Sequence, residues 1–317
     1  MTRKKNGRAL TKAVIDIGSN SVKLRIVSKK GNRLYTVLDT TEVVRLGKGL
    51  GSGALDDKIM RRGAEVIWRL TRLAGEKGAI PRLVGTMALR MAGNADEFTR
   101  MVLERTGISV EILSGKEEAR LAWLGATMAL GATGGDITVF DTGGGSTEFA
   151  FGKGTQIEES FSVPVGAVCM TEKFFSADSA CPESLRSAKE YVRDILTSAG
   201  ELGRVREKAS CVIGLGGGVA AMASVKLALT VFLPEVINGT FLTKSDIDAQ
   251  VSLYASSSLA ERKKITGLPP KRADIILASA CIVQCIQEVL EIDVFKVSIN
   301  GLRHGLLLEM FKDRAME

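Results

Sequence analysis

A chain of 317 residues, 45% hydrophobic and 25% charged, has length for two buried cores and the composition of an ordinary globular protein, which excludes low-complexity and disordered classes. Its single histidine rules out a multi-histidine metal centre and leaves little room for a Ser-His-Asp triad, so its chemistry must run through carboxylates, backbone and a bound cation. A net charge of +7 suits an anionic partner, but with 5% aromatic residues and no interleaving of bases with aromatics a nucleic-acid platform is not expected.

The basic opening "MTRKKNGRALTK" has no apolar stretch behind it and reads as a frayed tail, not a secretory signal. With no apolar run near the roughly 20 residues of a membrane span, a cytoplasmic location without membrane contact is expected. Strands follow over 13–17, 22–27 and 33–43, then a glycine-rich loop and a helix over about 56–73. A short strand at 82–84 precedes "TMALRMAGNADEFTRMVLERTG", which is helical in two pieces, and the strand "VEIL". "SGKEEARLAWLGATMALG" is a helix opened by a capping box, with Ser114 as N-cap and Glu117 folding back to it. Glu118 is then turned about 100° around the helix and faces elsewhere. The second half repeats the theme from "DITVFDTGGG", with strands to 161 and helices near 168–175 and 183–197. The strand "CVIG", the loop "LGGGVAAMA", helix to about 290, the strand "VFKVSI" and the helix "GLRHGLLLEMF" complete the chain. Strand hairpins followed by βα alternation predict an α/β fold with mixed sheets, divided near 125–135. Cys281 and Cys285, four apart in an apolar helix, read as buried reduced thiols.

The stretch "DTGGGSTEF" sets Gly143, Gly144 and Gly145 between Asp141 and the residues Ser146, Thr147 and Glu148. Flanked by apolar β-rich runs, it reads as strand, tight loop, strand. Such a loop lets backbone N–H groups converge on an anion with no Cβ in the way. Acids at both ends make sense beside phosphate when a divalent cation joins them. An ordinary glycine hairpin turn would also produce one such stretch. A second copy tips the balance: in "IDIGSNSVKLRIV", Asp16-x-Gly18-x-x-Ser21 matches Asp141-x-Gly143-x-x-Ser146 position for position. The two are too far apart for a solenoid repeat and suit two related domains whose hairpins grip a phosphate chain or nucleotide between them.

Together with "GTMALRMAGN", "ISVEILSGKEEARLAWLGA", "VGAVCMTEKFF", "VIGLGGGVAAMA", "ITGLPPKRADIILA" and "VSINGLRHGLL", these hairpins resemble the exopolyphosphatase / guanosine pentaphosphate phosphohydrolase (Ppx/GppA) family, almost end to end and in its short two-domain form. The resemblance implies the fold of the actin and sugar-kinase superfamily. Two actin-like, ribonuclease H-like α/β domains would flank a cleft, domain I comprising 1–125 with 301–317 and domain II 126–300. It implies hydrolysis of phosphoanhydrides, releasing the terminal phosphate of polyphosphate or of guanosine pentaphosphate. Polyphosphate leads because of the positive charge and because Gly217-Gly218 stands where the family commonly has Gly-Thr, in the loop that holds adenosine in kinase relatives. A second departure is Met87, where the family commonly has a small residue.

On this resemblance Ser19, Asn20, Ser21, Gly143, Gly144, Gly145, Ser146 and Thr147 cradle phosphoryl oxygens, with Gly216 and Gly217 as further contacts and Arg90 paired with a phosphate. Asp141 and Glu148 would hold Mg²⁺, for which Mn²⁺ could substitute, and Asp16 would orient water at the cation. Glu118 matches the general base; without the family it reads as a first-turn acid favoured by the helix dipole. The loop around Gly216 also reads as a turn that needs glycine to pack. An ATP-dependent kinase of the same superfamily and a non-catalytic alarmone- or polyphosphate-binding regulator are the competing expectations, and self-association as a homodimer is left open.

Overall fold

The computed structural model describes residues 10–31, 33–132, 134–154, 156–175, 181–200, 202 and 211–312, so most of the basic N-terminal run lies outside the described residues. In the first sheet β1 (Leu10–Ile17), β2 (Ser21–Lys30) and β3 (Arg33–Val43) form an antiparallel meander; β4 (Pro81–Gly85) then lies parallel to β1, and β5 (Val110–Ile112) parallel to β4. The order is β3-β2-β1-β4-β5. The second sheet starts with the same meander, β6 (Asp136–Thr142), β7 (Thr147–Lys153) and β8 (Gln156–Val163), and β9 (Cys211–Leu215) lies parallel to β6. β10 (Phe241–Thr243) pairs antiparallel with β11 (Val294–Val297), which joins β9 in parallel. Apart from β10 at its edge, the second sheet repeats the strand order of the first. The molecule is thus two α/β halves built on one plan.

The central strands are buried on both faces, as the period-2 geometry of a covered sheet requires. Ala13, Ile15 and Ile17 point into one core with Ala64, Ile67 and Leu70 of α1 (Asp57–Glu76), while Val14 points to the opposite face. α1 starts where Asp56 accepts the Ile59 N–H at 3.0 Å. α2 (Met87–Met91), α3 (Ala95–Thr106) and α4 (Gly115–Leu130) complete the first run of helices. In the second half come α5 (Ala167–Phe174), α6 (Pro182–Ser198), α7 (Gly217–Lys226), α8 (Pro234–Ile237), α9 (Lys244–Ser256), α10 (Leu259–Arg262), α11 (Ile276–Leu290) and finally α12 (Leu302–Lys312). No helix among the described residues is long and apolar enough to cross a membrane. Cys281 and Cys285 are buried in α11 as free thiols.

Two local expectations are corrected. "LGGGVAAMA" is not a loop: α7 starts at Gly217, because Val219, Met222 and Ala223 are buried and tertiary packing overrides the low helix propensity of glycine. At the start of α4, Ser114 accepts the Glu117 N–H at 3.2 Å, but the Glu117 carboxylate does not fold back. It pairs instead with Arg120, which also holds Glu309, since a guanidinium offers two charge-assisted bonds where the cap offers one neutral N–H.

α4 touches both halves. Its Ala119, Ala122, Trp123 and Ala126 pack on Ile137, Val139 and Ile213 of the second sheet. Its Leu121 joins Leu302, Leu306 and Phe311 of α12 against Val14 and Val84 of the first. The crossing is backbone against backbone: a Cβ on Gly125 would fall on the Gly301 carbonyl, and one on Gly305 on the Leu121 carbonyl.

Candidate active site

Both hairpin turns close in the same way. Gly18 N–H donates to the Ser21 carbonyl at 3.1 Å, and Gly143 N–H to the Ser146 carbonyl at 2.9 Å. The other turn carbonyls are tied back into the protein. Ser19 and Asn20 accept from Gly47 and Arg45, both at 2.8 Å; Gly143 and Gly144 accept from Ala167 and Val168 at 3.0 and 2.7 Å. The N–H groups of Ser19, Asn20, Gly144 and Gly145 make none of these bonds, and Asn20 Nδ2 is buried without an acceptor. The turns nearly touch: a Cβ on Gly144 would lie 3.1 Å from the Asn20 nitrogen. Two sets of donors therefore converge from the two halves, the arrangement of an anion cradle.

The strand pairs entering these turns carry the charge. Asp16 on β1 faces Lys23 on β2, with Nζ 3.4 Å from Oδ2, and Asp141 on β6 faces Glu148 on β7. Between the hairpins lies an inner pocket of about 100 Å³, to which Asp16, Glu118, Asp141 and Glu148 contribute acids and Ser21 and Ser146 hydroxyls. A vestibule of about 480 Å³ lies beside it, lined by Lys23, Arg25, Arg303, His304 and Phe232. The two compartments share Asp16, Asp141, Gly216, Gly217 and Arg272 as a rim.

Burial and crowding raise the acids. Burial pushes the Asp141 carboxyl up to about 6 against the pull of Lys23. Burial is also the first cause of the rise at Glu148, which Ser146 and Ser162 partly offset, the latter donating to Oε1 at 2.8 Å. Glu118, 6% exposed, is pushed up by burial and then by the Glu148 charge, while Arg90 pulls it down. So much carboxylate in a desolvated pocket suits a cation. Among the described residues no group of three or more His, Cys, Asp or Glu side chains is placed to hold a metal by itself. The fit is to a hard ion such as Mg²⁺, which takes one or two carboxylates and fills its shell with water and phosphate oxygens. Asp141 and Glu148, cross-strand partners on β6 and β7, are acids that could hold it.

Of the residues singled out from the sequence, Asp16, Ser19, Asn20, Ser21, Glu118, Asp141, the three glycines 143–145, Ser146, Glu148, Gly216 and Gly217 all line the inner pocket. Two do not. Thr147 is fully buried and its hydroxyl donates to the Val165 carbonyl at 2.7 Å, because alternation along β7 turns it into the core and leaves it no free donor. Arg90 stands behind Glu118, 2.5 Å from Oε2, and donates to the Leu113 carbonyl at 2.7 Å. Here the buried carboxylate engages it, and Arg90 does not line the inner pocket.

Two further residues join the site. Lys23 follows Asp16 at the spacing by which Glu148 follows Asp141, so aligning the two copies would have found it. Arg272, in "PPKRAD", lies over Gly217, where any Cβ would collide with its guanidinium. Asp274, whose charge it feels, is already paired with Arg45 at 2.5 Å, leaving Arg272 facing the cleft. A threonine at 218 would meet Ser279, which accounts for the second glycine of the pair.

Known proteins resemble this chain in sequence and fold. The model of the Ppx/GppA phosphatase family matches residues 25–314. A bifunctional 3-dehydroquinate synthase/phosphatase of Fusobacterium nucleatum subsp. nucleatum is 30% identical over 311 residues, which is 94% of this chain and 46% of that protein. The chain thus spans about half the length of that curated relative. The crystal structure of the Ppx/GppA family member of Aquifex aeolicus, 31% identical, aligns with a TM-score of 0.81 over 97% of this chain and 99% of its own. An exopolyphosphatase from Cytophaga hutchinsonii, 22% identical, shares the fold with a TM-score of 0.88 over 96% of this chain and 98% of its own. Matched over nearly its whole length, the chain belongs to the Ppx/GppA phosphatase family.

Proposed function

We propose that the chain is a Mg²⁺-dependent phosphoanhydride hydrolase that removes the terminal phosphoryl group of inorganic polyphosphate, and that guanosine pentaphosphate is a second substrate. The observation that carries this reading is the pair of compartments. A small pocket with N–H donors and acids adjoins, across a shared rim, a larger vestibule that holds Lys23, Arg25, Arg272 and Arg303, with Asp39 paired to Arg25 and Arg303. The terminal phosphoryl group enters the pocket and the rest of the chain lies along Lys23, Arg25, Arg272 and Arg303.

In-line displacement requires the nucleophile and the leaving oxygen on opposite sides of phosphorus. Glu118 and Glu148 line the pocket but not the vestibule, so water held there attacks from the side away from the chain. Glu118 takes the proton as the new P–O bond forms and the bridging P–O bond to the next phosphorus breaks, yielding inorganic phosphate and a chain one unit shorter. A carboxylate with a raised proton affinity is a stronger base once ionised; burial and the Glu148 charge favour its neutral form, and Arg90 pulls the other way, towards the ionised form that accepts the proton. The hairpin N–H groups and the Ser21 and Ser146 hydroxyls bind the phosphoryl oxygens, and Asp16 orients the water. Mg²⁺ held by Asp141 and Glu148 would supply charge neutralisation of the phosphates. We further place domain I at 1–125 with 301–317 and domain II at 126–300, and the protein in the cytoplasm without nucleic-acid or membrane partners. Phosphate release from long polyphosphate, guanosine pentaphosphate and ATP, with and without Mg²⁺, tests the reading. Inactivity on the first two would overturn it, and turnover of ATP with an acceptor would favour a kinase.

A further inference from the structure

Arg45 holds a backbone conformation that its residue type rarely takes. Its φ of 62° lies in the left-handed region, where an ordinary side chain is strained. The neighbours keep it there. Val44 and Leu46 are buried in the core of the first half, and the Arg45 N–H donates to the Asn20 carbonyl at 2.8 Å. The residue is thus pinned against the first phosphate turn. Strain of this kind persists where the surrounding structure over-determines it, and it invites a functional reading.

The side chain reaches across to the second half, where Arg45 Nη2 lies 2.5 Å from Asp274 Oδ2. As a tie between the halves the pair adds little. Its side chains are 43% and 27% exposed, and Gly49 already joins the halves by donating its N–H to the Glu172 carboxylate at 3.1 Å. What the pair does is occupy Asp274. Two residues before that acid stands Arg272, whose guanidinium lies over Gly217 at the rim of pocket and vestibule. The carboxylate whose charge acts on Arg272 is that of Asp274, yet among the described residues Arg272 makes no ion pair. A third cavity, of about 400 Å³, takes in Arg45 and Asp274 but not Arg272. The pocket and the vestibule take in Arg272 but neither member of the pair.

Resting on the reading that Arg272 binds the phosphate chain, we propose that Arg45 is a positioning residue for the substrate. It holds Asp274 in the side cavity and so leaves the Arg272 guanidinium free for phosphate. Without Arg45, the carboxylate turns to the guanidinium two residues away, and an incoming phosphate has to displace a charged partner already in place. Arg45 never touches the substrate; it acts by removing a competitor.

The test is a double-mutant cycle on Arg45→Met and Asp274→Asn, read by KM on polyphosphate and by calorimetric binding of tripolyphosphate with Mg²⁺ in a Glu118→Gln background. The Kd reads the proposal even where no chain is hydrolysed, so its failure and that of the hydrolase reading are told apart. Arg45→Met should raise KM and Kd by about one to two orders of magnitude, the contribution of one charge-assisted contact, with kcat nearly unchanged. Asp274→Asn alone should leave both nearly unchanged, and adding it to Arg45→Met should restore them. In an Arg272→Met background, Arg45→Met should bring no further loss. If the pair merely tied the halves together, both single variants would weaken binding and the double variant would not recover. If only summed charge counted, Asp274→Asn would tighten binding equally with and without Arg45. Either result overturns the proposal. So does an unchanged Kd in a folded Arg45→Met, which would mean that Lys48 or Arg262, lining the same cavity, holds Asp274 instead. Should Arg45→Met not fold, Arg45→Gln, which also lacks the charge, is read in the same cycle.

Discussion

Lys23 and Glu148 occupy the same position in two copies of one hairpin: Lys23 is the cross-strand partner of Asp16, and Glu148 is the cross-strand partner of Asp141. The two halves repeat each other in strand order and in turn closure, and differ here by a reversal of charge. One hairpin pairs an acid with a cation across its strands, and the other pairs two acids. On the proposed reading both turns receive phosphate, and the second strand pair would also receive the metal.

Lys23→Met should act on substrate binding first. The ammonium lines both compartments and its charge-assisted bonds to phosphate contribute about 1.5–3 kcal/mol, so KM for polyphosphate should rise by about one to two orders of magnitude, with a smaller change in kcat. Steady-state kinetics on a defined chain length checks this; an unchanged KM would remove Lys23 from the site.

Asp141→Asn and Glu148→Gln should each abolish Mg²⁺-dependent turnover while the thermal midpoint without metal holds or rises. Both carboxyls are raised by burial, so removing the charge relieves the fold as it removes a hard ligand. Normal turnover at the same Mg²⁺ concentration would contradict the metal assignment.

Glu118→Gln should lower kcat by about 10²–10⁴-fold, the usual contribution of a general base, with little change in substrate affinity. Glu117→Gln should leave kcat nearly unchanged: its carboxylate serves Arg120 at the surface, where an ion pair contributes about 0–1 kcal/mol. The reverse pattern in the two variants would assign the base to the wrong glutamate.

His304 predicts a pH dependence of stability. Burial, and then the Arg25 charge, push its pKa down from 6.5 to about 4, so the folded state keeps the ring neutral where the unfolded chain would protonate it. The unfolded state binds the extra proton between these values, so stability rises with pH; it is complete above about 6.5 and is lost as pH falls towards 4. The loss amounts to at most about 3 kcal/mol at 1.36 kcal/mol per unit. Chemical denaturation from pH 7 to 4 should show a shallower slope in His304→Gln, and an identical slope would mean that the ring is protonated in the folded protein.

What could be read from the sequence was local. The hairpins declared themselves because an acid, a glycine and a serine at fixed spacing specify a strand, a turn and a donor without help from elsewhere. Glu118 could be separated from Glu117 by the angle between successive helix residues. What escaped depends on residues distant in the chain. Thr147 is turned into the core by its strand, and Arg90 is engaged by Glu118 across 28 positions of sequence. Lys23 lies between these cases, since it needed only the repeat to be carried one step further.

The glycine contact between α4 and α12 has a consequence for the cleft beside it. Glu118 sits on α4 about two turns before Gly125, at 3.6 residues per turn, and α12 rests on β1, the strand that carries Asp16. Two rigid rods touching at bare backbone act as the fulcrum of a pair of tongs. A single methyl group wedged at 125 or 305 would spread the jaws, carrying the glutamate away from the aspartate. The spacing between reactive groups is therefore set by two residues that have no side chain and never meet the substrate.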